Sequence, residues 1–295
     1  MADKELSPVV LFVYNRPNHT KQTIESLKKN KLSVETILYV IADGPKANAT
    51  IEDKKNIKET RQLFKTLTGF KQIILIEKEK NEGLATSVIS GVTEIINKHG
   101  KVIVLEDDLL LSPFFLDYMN QGLSIYKDVS NVFSINAYMF PIETNKIDTF
   151  LSPLATSSWG WATWADKWAV FEKDIQYKEI IQSHPYIRQR FNFSDYNYAD
   201  TLEMRSSWAI KWYYSVFIRN GLGVFPTRSL VQNIGFDGSG THGINTFNEP
   251  ALFEEEVKVE KKYVIDIENY AKMLDFFKEK KTSIFSSITK IIKKK

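Results

Sequence analysis

The sequence predicts an α/β protein: a mostly parallel sheet covered by helices on both faces, followed by a lysine-rich helical tail. Three observations carry this expectation. Short, branched apolar runs alternate with amphipathic stretches through the first half of the chain. Charged and polar residues gather where those runs stop, at Asn15-Arg16, at Asp43 and at Glu106 to Asp108. No apolar run approaches the roughly 18 residues that would mark a membrane span.

In order, VVLFVY (9–14) reads as a buried strand, and TKQTIESLKKN (20–30) has helical spacing through Ile24 and Leu27. ETILYVIAD (35–43) reads as a second strand, closed by the turn signal Asp43-Gly44-Pro45. A charged helix is expected over 51–67, and KQIILIE (71–77) is the third strand. Leu84, Val88, Val92 and Ile95 share one helical face in 84–96. KVIVLE opens the fourth strand, and Ser112-Pro113 reads as the cap and first residue of the helix FFLDYMNQGLSIY. Beyond residue 130 the pattern loosens. VFSINAY (132–138) is a strand, SSWAIKWYYSVFIRNG (206–221) is a helix, and GLGVFP with SLVQNIGFDGSGTHG gives a short strand and a glycine-rich loop carrying His242.

The bulk numbers exclude more than they assign. A chain of 295 residues with a formal net charge of +3 has ample core and too little positive charge to imply nucleic-acid binding. It holds no cysteine, so disulfides and thiolate metal sites are excluded. The opening MADKELSPVVLFVYNRP has neither the basic start nor the apolar run of a signal peptide, which sets the expectation of a cytoplasmic protein. Neither a P-loop nor a G-x-G-x-x-G fingerprint occurs.

The acidic trio Glu106-Asp107-Asp108 poses the chemical question. Three carboxylates at the end of a buried strand repel one another and lose hydration, so something positive is expected beside them. A solvated strand end or a helix cap is the bland alternative, but Ser112 already occupies the capping place. The functional reading is a hard divalent cation, Mn²⁺ or Mg²⁺. Mg²⁺ takes only one or two protein carboxylates and shares the remainder with water and substrate phosphates. His242, between Gly238, Gly240 and Gly243, is a loop histidine that gains meaning only beside the trio. Asn81-Glu82-Gly83 reads as a helix entry or as a helix N-terminus facing a phosphate or base. All six tryptophans fall between 159 and 212, a density that favours core over site while leaving one or two as a wall for a sugar.

Taken in order, these segments resemble the nucleotide-sugar glycosyltransferases of the GT-A fold, in particular the N-acetylglucosaminyltransferase I group and its bacterial glycan-biosynthesis relatives. VVLFVYNRP is similar to their first strand, IADGP to their second-strand end, VIVLEDDLLLSPFFLDY to their acidic metal motif, SSWGWATWADKW to their acceptor-side segment and LVQNIGFDGSGTH to their metal-side loop. The resemblance covers about residues 8 to 245. It implies a GT-A domain over 1–262, with a nucleotide-binding half over about 1–130 and an acceptor-side half over about 131–262, leaving 263–295 as a basic amphipathic tail.

The resemblance further implies that Arg16 and Asp43 hold the nucleotide, with Asn81 added as the helix-entry residue facing it, that Glu106 and Asp107 contact ribose and donor sugar, that Asp108 binds the metal directly, and that His242 is a second metal ligand or a phosphate contact. The relatives place a catalytic aspartate at the start of the late helix. Here SSWAIKW carries Ala209, Ile210 and Lys211, and Glu203 and Asp200 are the nearest acids upstream. The implied activity is inverting hexosyl or N-acetylhexosaminyl transfer from a UDP-sugar to a glycan or lipid-linked acceptor. A non-catalytic carbohydrate- or nucleotide-binding protein remains the rival reading. A nucleotidyltransferase is disfavoured because YNRPNHTKQ contains no glycine. Ile284, Phe285, Ile288, Ile291 and Ile292 interleave with lysines in the tail, which predicts peripheral contact with an anionic inner membrane face.

Overall fold

The computed structural model describes residues 5–144, 148–154, 156–203, 207–237 and 250–278. An eight-stranded sheet runs through it in the order β3-β2-β1-β4-β8-β6-β9-β7. These strands are β1 (Val9–Val13), β2 (Ile37–Ala42), β3 (Gln72–Glu77), β4 (Lys101–Glu106), β6 (Val132–Asn136), β7 (Thr149–Ser152), β8 (Trp161–Trp164) and β9 (Leu222–Pro226). The first four are parallel, and only β8 and β7 oppose the common direction. A separate two-stranded ribbon pairs β5 (Leu109–Leu111) with β10 (Val231–Asn233), antiparallel.

The helices between the parallel strands begin and end where the local chemistry directs. Helix α1 (Pro17–Lys28) starts with proline, whose missing N–H costs nothing in the first turn. Helix α2 (Ile51–Lys65) starts at a capping box in which Thr50 and Asp53 satisfy each other's backbone donors. Helix α3 (Leu84–His99) starts at Gly83, whose φ of 80° suits a residue without a Cβ. Helix α4 (Phe115–Ile125) begins later than the sequence predicts. Ser112 Oγ accepts from the Phe114 N–H in the turn before it, and Phe114 stands at the cap. The later helices are α5 (Ala165–Trp168), α6 (Lys178–Ser183), α7 (Pro185–Phe191) and α8 (Trp208–Phe217), the last capped by Ser207. A short 3₁₀ segment, Tyr198–Glu203, precedes α8, and a final helix, α9, covers 267–278.

Strand alternation sorts the core into two layers. Val9, Leu11, Leu38, Val40, Ile103 and Leu105 pack with α1 and α4 on one face. Val10, Phe12, Ile41, Val102 and Val104 pack with α3 and the tryptophans on the other. Five of the six tryptophans are buried or nearly so, and Trp161 stacks on Trp208 with ring centroids 5.3 Å apart. Each aromatic removes a large area from water, and the ring contacts add directionality. Only Trp159 is left partly exposed, edge-on to Tyr138 and Phe236. A third, aromatic cluster on the late half includes Phe191, Tyr213 and Phe225, and α9 inserts Met273 into it.

Candidate active site

The parallel strands deliver three polar segments to one end of the sheet. Asn15-Arg16 follows β1, Asp43 follows β2, and Glu106 to Asp108 end β4. Phe12 is registered against Glu106, so the first and fourth strands finish side by side. This is the end at which open α/β sheets form their ligand crevice.

The backbone fixes the trio closely. The Tyr14 N–H donates to Asp107 Oδ2 at 3.3 Å, and the Thr23 hydroxyl donates to the Asp107 carbonyl at 2.9 Å. Asp108 is held from both sides of its residue. Its carbonyl accepts from the Ile234 N–H at 2.9 Å, a continuation of the β5–β10 ribbon. Arg16 Nη1 donates to its Oδ2 at 2.7 Å, and both side chains are 14% exposed. Arg16 Nη2 donates to the Gly235 carbonyl at 3.0 Å and lies 3.8 Å from Asp237. His19, one turn into α1, places Nε2 3.2 Å from both the Ile234 carbonyl and Asp237 Oδ2. A Cβ at Gly235 would overlap Asp108 Oδ2, so this position requires glycine for space.

Electrostatics explain how three acids coexist there. Burial, then the charges of Asp108 and Asp107, push the Glu106 carboxyl up to about 8, against a hydrogen bond from the Trp208 side chain and the charge of Arg16. Burial and the Asp108 charge push Asp107 up to about 7, against Arg16 and the Tyr14 N–H. Near neutral pH burial and mutual repulsion therefore favour the protonated form of Glu106 and bring Asp107 close to its midpoint, while a guanidinium sits on Asp108. Among the described residues, Asp108 Oδ1 is buried and accepts no hydrogen bond. A buried carboxylate oxygen without a partner is costly, and a hard cation is the partner that suits it. Among the described residues no three histidine, aspartate or glutamate side chains close around one point. The arrangement thus fits a dication that takes few protein ligands and completes its shell from water and substrate phosphates.

Asp43 and Asn81 meet each other at the end of β2. The Asp43 carboxylate accepts from the Gly44 N–H at 2.8 Å, Asn81 Nδ2 at 2.9 Å, the Glu82 N–H at 2.9 Å and the Gly83 N–H at 3.0 Å. It therefore pins the loop that opens α3. Glu203 and Asp200 lie apart from these contacts on the 3₁₀ segment, both exposed. Lys178 Nζ is 2.7 Å from Glu203 Oε2, and Arg188 Nη2 is 2.6 Å from Asp200 Oδ1. His242 lies outside the described residues.

His19 and Asp237 were not singled out in the sequence. The signal was present: His19 follows Arg16 within NRPNHT, and Asp237 sits in the same FDGSG loop as His242. What the sequence lacks is the ribbon that joins them.

Fold and site together define an α/β protein with a largely buried acidic cluster, bridged by an arginine, at the carboxyl ends of its parallel strands. No family model matches the chain, and no curated protein matches it. Among solved structures, the mannosyltransferase PcManGT from Pyrobaculum calidifontis, in complex with GDP-Man and Mn²⁺, is 12% identical with a TM-score of 0.36, over 69% of this chain and 54% of that one. S. aureus TarS 1–349 is 10% identical with a TM-score of 0.41, over 75% and 57%. Mouse xyloside xylosyltransferase 1, apo form, is 11% identical with a TM-score of 0.38, over 71% and 80%. The chain thus spans little more than half the length of the first two. With identities this low, the site is read from its own residues.

Proposed function

We propose that this chain is a metal-dependent glycosyltransferase that moves a hexosyl or N-acetylhexosaminyl group from a UDP-sugar to a hydroxyl of a glycan or lipid-linked glycan, with inversion. The resemblance of its motifs, in order, to the N-acetylglucosaminyltransferase I group and its bacterial relatives supports the reaction class. The observation that carries the reading is the buried Asp108 Oδ1 at the strand ends, partnerless among the described residues, beside Arg16 and a loop kept clear by Gly235.

In this reading Asp108, with His242 as the second ligand, holds Mn²⁺ or Mg²⁺, which supplies charge neutralisation on the leaving diphosphate. Arg16 shifts part of its charge from Asp108 to the donor phosphates. Asp43 fixes the Asn81 loop, so that Asn81 and the α3 N-terminus face the nucleotide. Glu106 and Asp107, whose carboxyls burial pushes up to about 8 and about 7, hydrogen-bond ribose and sugar hydroxyls. The acceptor hydroxyl gives its proton to a carboxylate, its oxygen bonds to the anomeric carbon, and the bond to the diphosphate breaks with its electron pair leaving on the diphosphate. Glu203 is placed first as that base, ahead of Asp200. It precedes α8, whose Trp208 side chain hydrogen-bonds Glu106. To act, Glu203 must release Lys178. The GT-A unit is taken as 1–262 and the tail as 263–295.

UDP release from a panel of UDP-sugars, with and without Mn²⁺, tests the reaction. Asp108→Ala is expected to abolish it, and a variant with near-normal metal-dependent release would overturn the assignment. Glu203→Gln is expected to lower turnover by roughly 10²–10⁴-fold with donor binding retained. UDP-sugar binding without any release, across the panel and with an acceptor supplied, would favour the non-catalytic rival.

A further inference from the structure

Helix α2 sorts its charges in a way the crevice does not use. On its outer face Lys55 is bracketed by Glu52 and Glu59 at 3.9 and 4.0 Å. Lys54, Lys58, Arg61 and Lys65, spaced by four, three and four residues, fall on a different face in a single stripe. That stripe lines an open surface cleft of about 240 Å³, bordered by Pro45 and Glu77. Glu77 is the only acid in the lining, and Arg61 already holds it at 3.3 Å.

Arg61 itself is anchored. Its Nη2 donates to the carbonyls of Lys78 at 2.6 Å, Asp43 at 3.2 Å and Ala42 at 3.3 Å, so the floor of the cleft is bolted to the ends of β2 and β3. Its Nε is buried and has no hydrogen-bond partner among the described residues. Among the described residues, Lys54, Lys58 and Lys65 take part in no ion pair. All three are exposed. A solvated helix face normally intersperses its signs, as the Lys55 face of this same helix does. Here three ammonium groups are left unneutralised around a concavity with a rigid guanidinium at its base.

We propose that this cleft is a second anion site, distinct from the acidic crevice, that binds a phosphate-bearing ligand carrying two or more phosphate groups. Ammonium groups act as adjustable point charges for phosphate oxygens, and several around one cleft favour a polyvalent anion over a single carboxylate. Pro45 belongs both to the cleft and to the turn after Asp43, whose Pro45 carbonyl accepts from the Asn81 N–H at 3.3 Å. The cleft therefore adjoins the crevice at the β2 end. A phosphorylated ligand seated there lies beside the crevice without entering it. The proposal does not depend on the transferase reading.

The test is tripolyphosphate binding to the full chain by calorimetry in EDTA, which keeps divalent cations from recruiting phosphate to Asp108. Wild type is expected to bind with an affinity that falls as salt rises. The triple variant Lys54→Gln, Lys58→Gln, Lys65→Gln is expected to bind at least about tenfold more weakly, and Lys55→Gln to bind as wild type. Vesicles containing cardiolipin, whose headgroup carries two phosphates, form the second arm. With tripolyphosphate binding lost, vesicle affinity unchanged in the triple variant assigns the cleft to soluble or acceptor-borne phosphate, and vesicle affinity lowered beyond that of Lys55→Gln assigns it to lipid headgroups. Tripolyphosphate binding by the triple variant within about twofold of wild type would overturn the proposal. So would an equal loss in Lys55→Gln, because the effect would then be one of net charge. Metal-dependent UDP release by the triple variant separates failure here from failure of the transferase reading, since none of the three lysines belongs to the crevice.

Discussion

Gly235 shows how much a single missing methyl can decide. Its carbonyl accepts from Arg16, and the place a Cβ would occupy is taken by Asp108 Oδ2. Gly235→Ala must therefore push either the aspartate or the loop away, at a cost of about 1–3 kcal/mol. The expected outcome is a folded protein with a modestly lower urea midpoint and at least about tenfold weaker metal-dependent UDP release, read beside Asp108→Ala. Full activity in a Gly235→Ala variant would mean that the contact between Asp108 and this loop is irrelevant to the site. At the same scale the sequence showed the acids and Arg16 but not their partners. The ion pair of Arg16 with Asp108 joins residues far apart in the chain, and Asp43 reads as an open ligand group until its four donors are seen. No local pattern announces that a carboxylate is already occupied.

Elements formed by their own residues were legible, and elements formed by distant pairing were not. Strands β1 to β4 and helices α1 to α3 appear within a few residues of where periodicity and capping place them, because each carries its own apolar repeat or cap. Strand β5 is three leucines with no alternation of their own, and only Val231–Asn233 makes it a strand. Strand β8 is hidden inside WGWATWADKW, where aromatic density masks alternation. The cap of α2 offers a check at this scale. Thr50→Ala removes one half of the capping box and is expected to cost about 1 kcal/mol, seen as a lower urea midpoint, with UDP release unchanged. A loss of release in that variant would mean that α2 transmits strain to the crevice through the hydrogen bond of 2.9 Å between Asn15 and Asp53.

For the whole molecule, no helix among the described residues is long and apolar enough to cross a membrane. The isoleucines and lysines of the tail that suggest peripheral membrane contact lie outside the described residues, while the part of the tail that is described, α9, packs Met273 against the late aromatic cluster. Deleting 280–295 is expected to leave the fold and UDP release intact and to remove salt-sensitive binding to anionic vesicles, at about 1 kcal/mol for each basic residue near the surface. Equal vesicle binding by the truncated and full-length proteins would rule the anchor out.

The β5–β10 ribbon also dictates an order of assembly. Arg16 and Asp108 both precede β10 in the chain, and the parallel strands β1 to β4 with their helices can collapse before β10 emerges. The Ile234 N–H and the Gly235 carbonyl arrive more than a hundred residues after Asp108. Long loop closures of this kind are entropically slow steps. A chain interrupted before β10 holds the sheet and the acids but lacks one wall of the crevice, so competence is acquired in a late step after the nucleotide-side half has condensed. Pulse-labelled chains should gain protection at β1 to β4 first and at Leu109–Leu111 last.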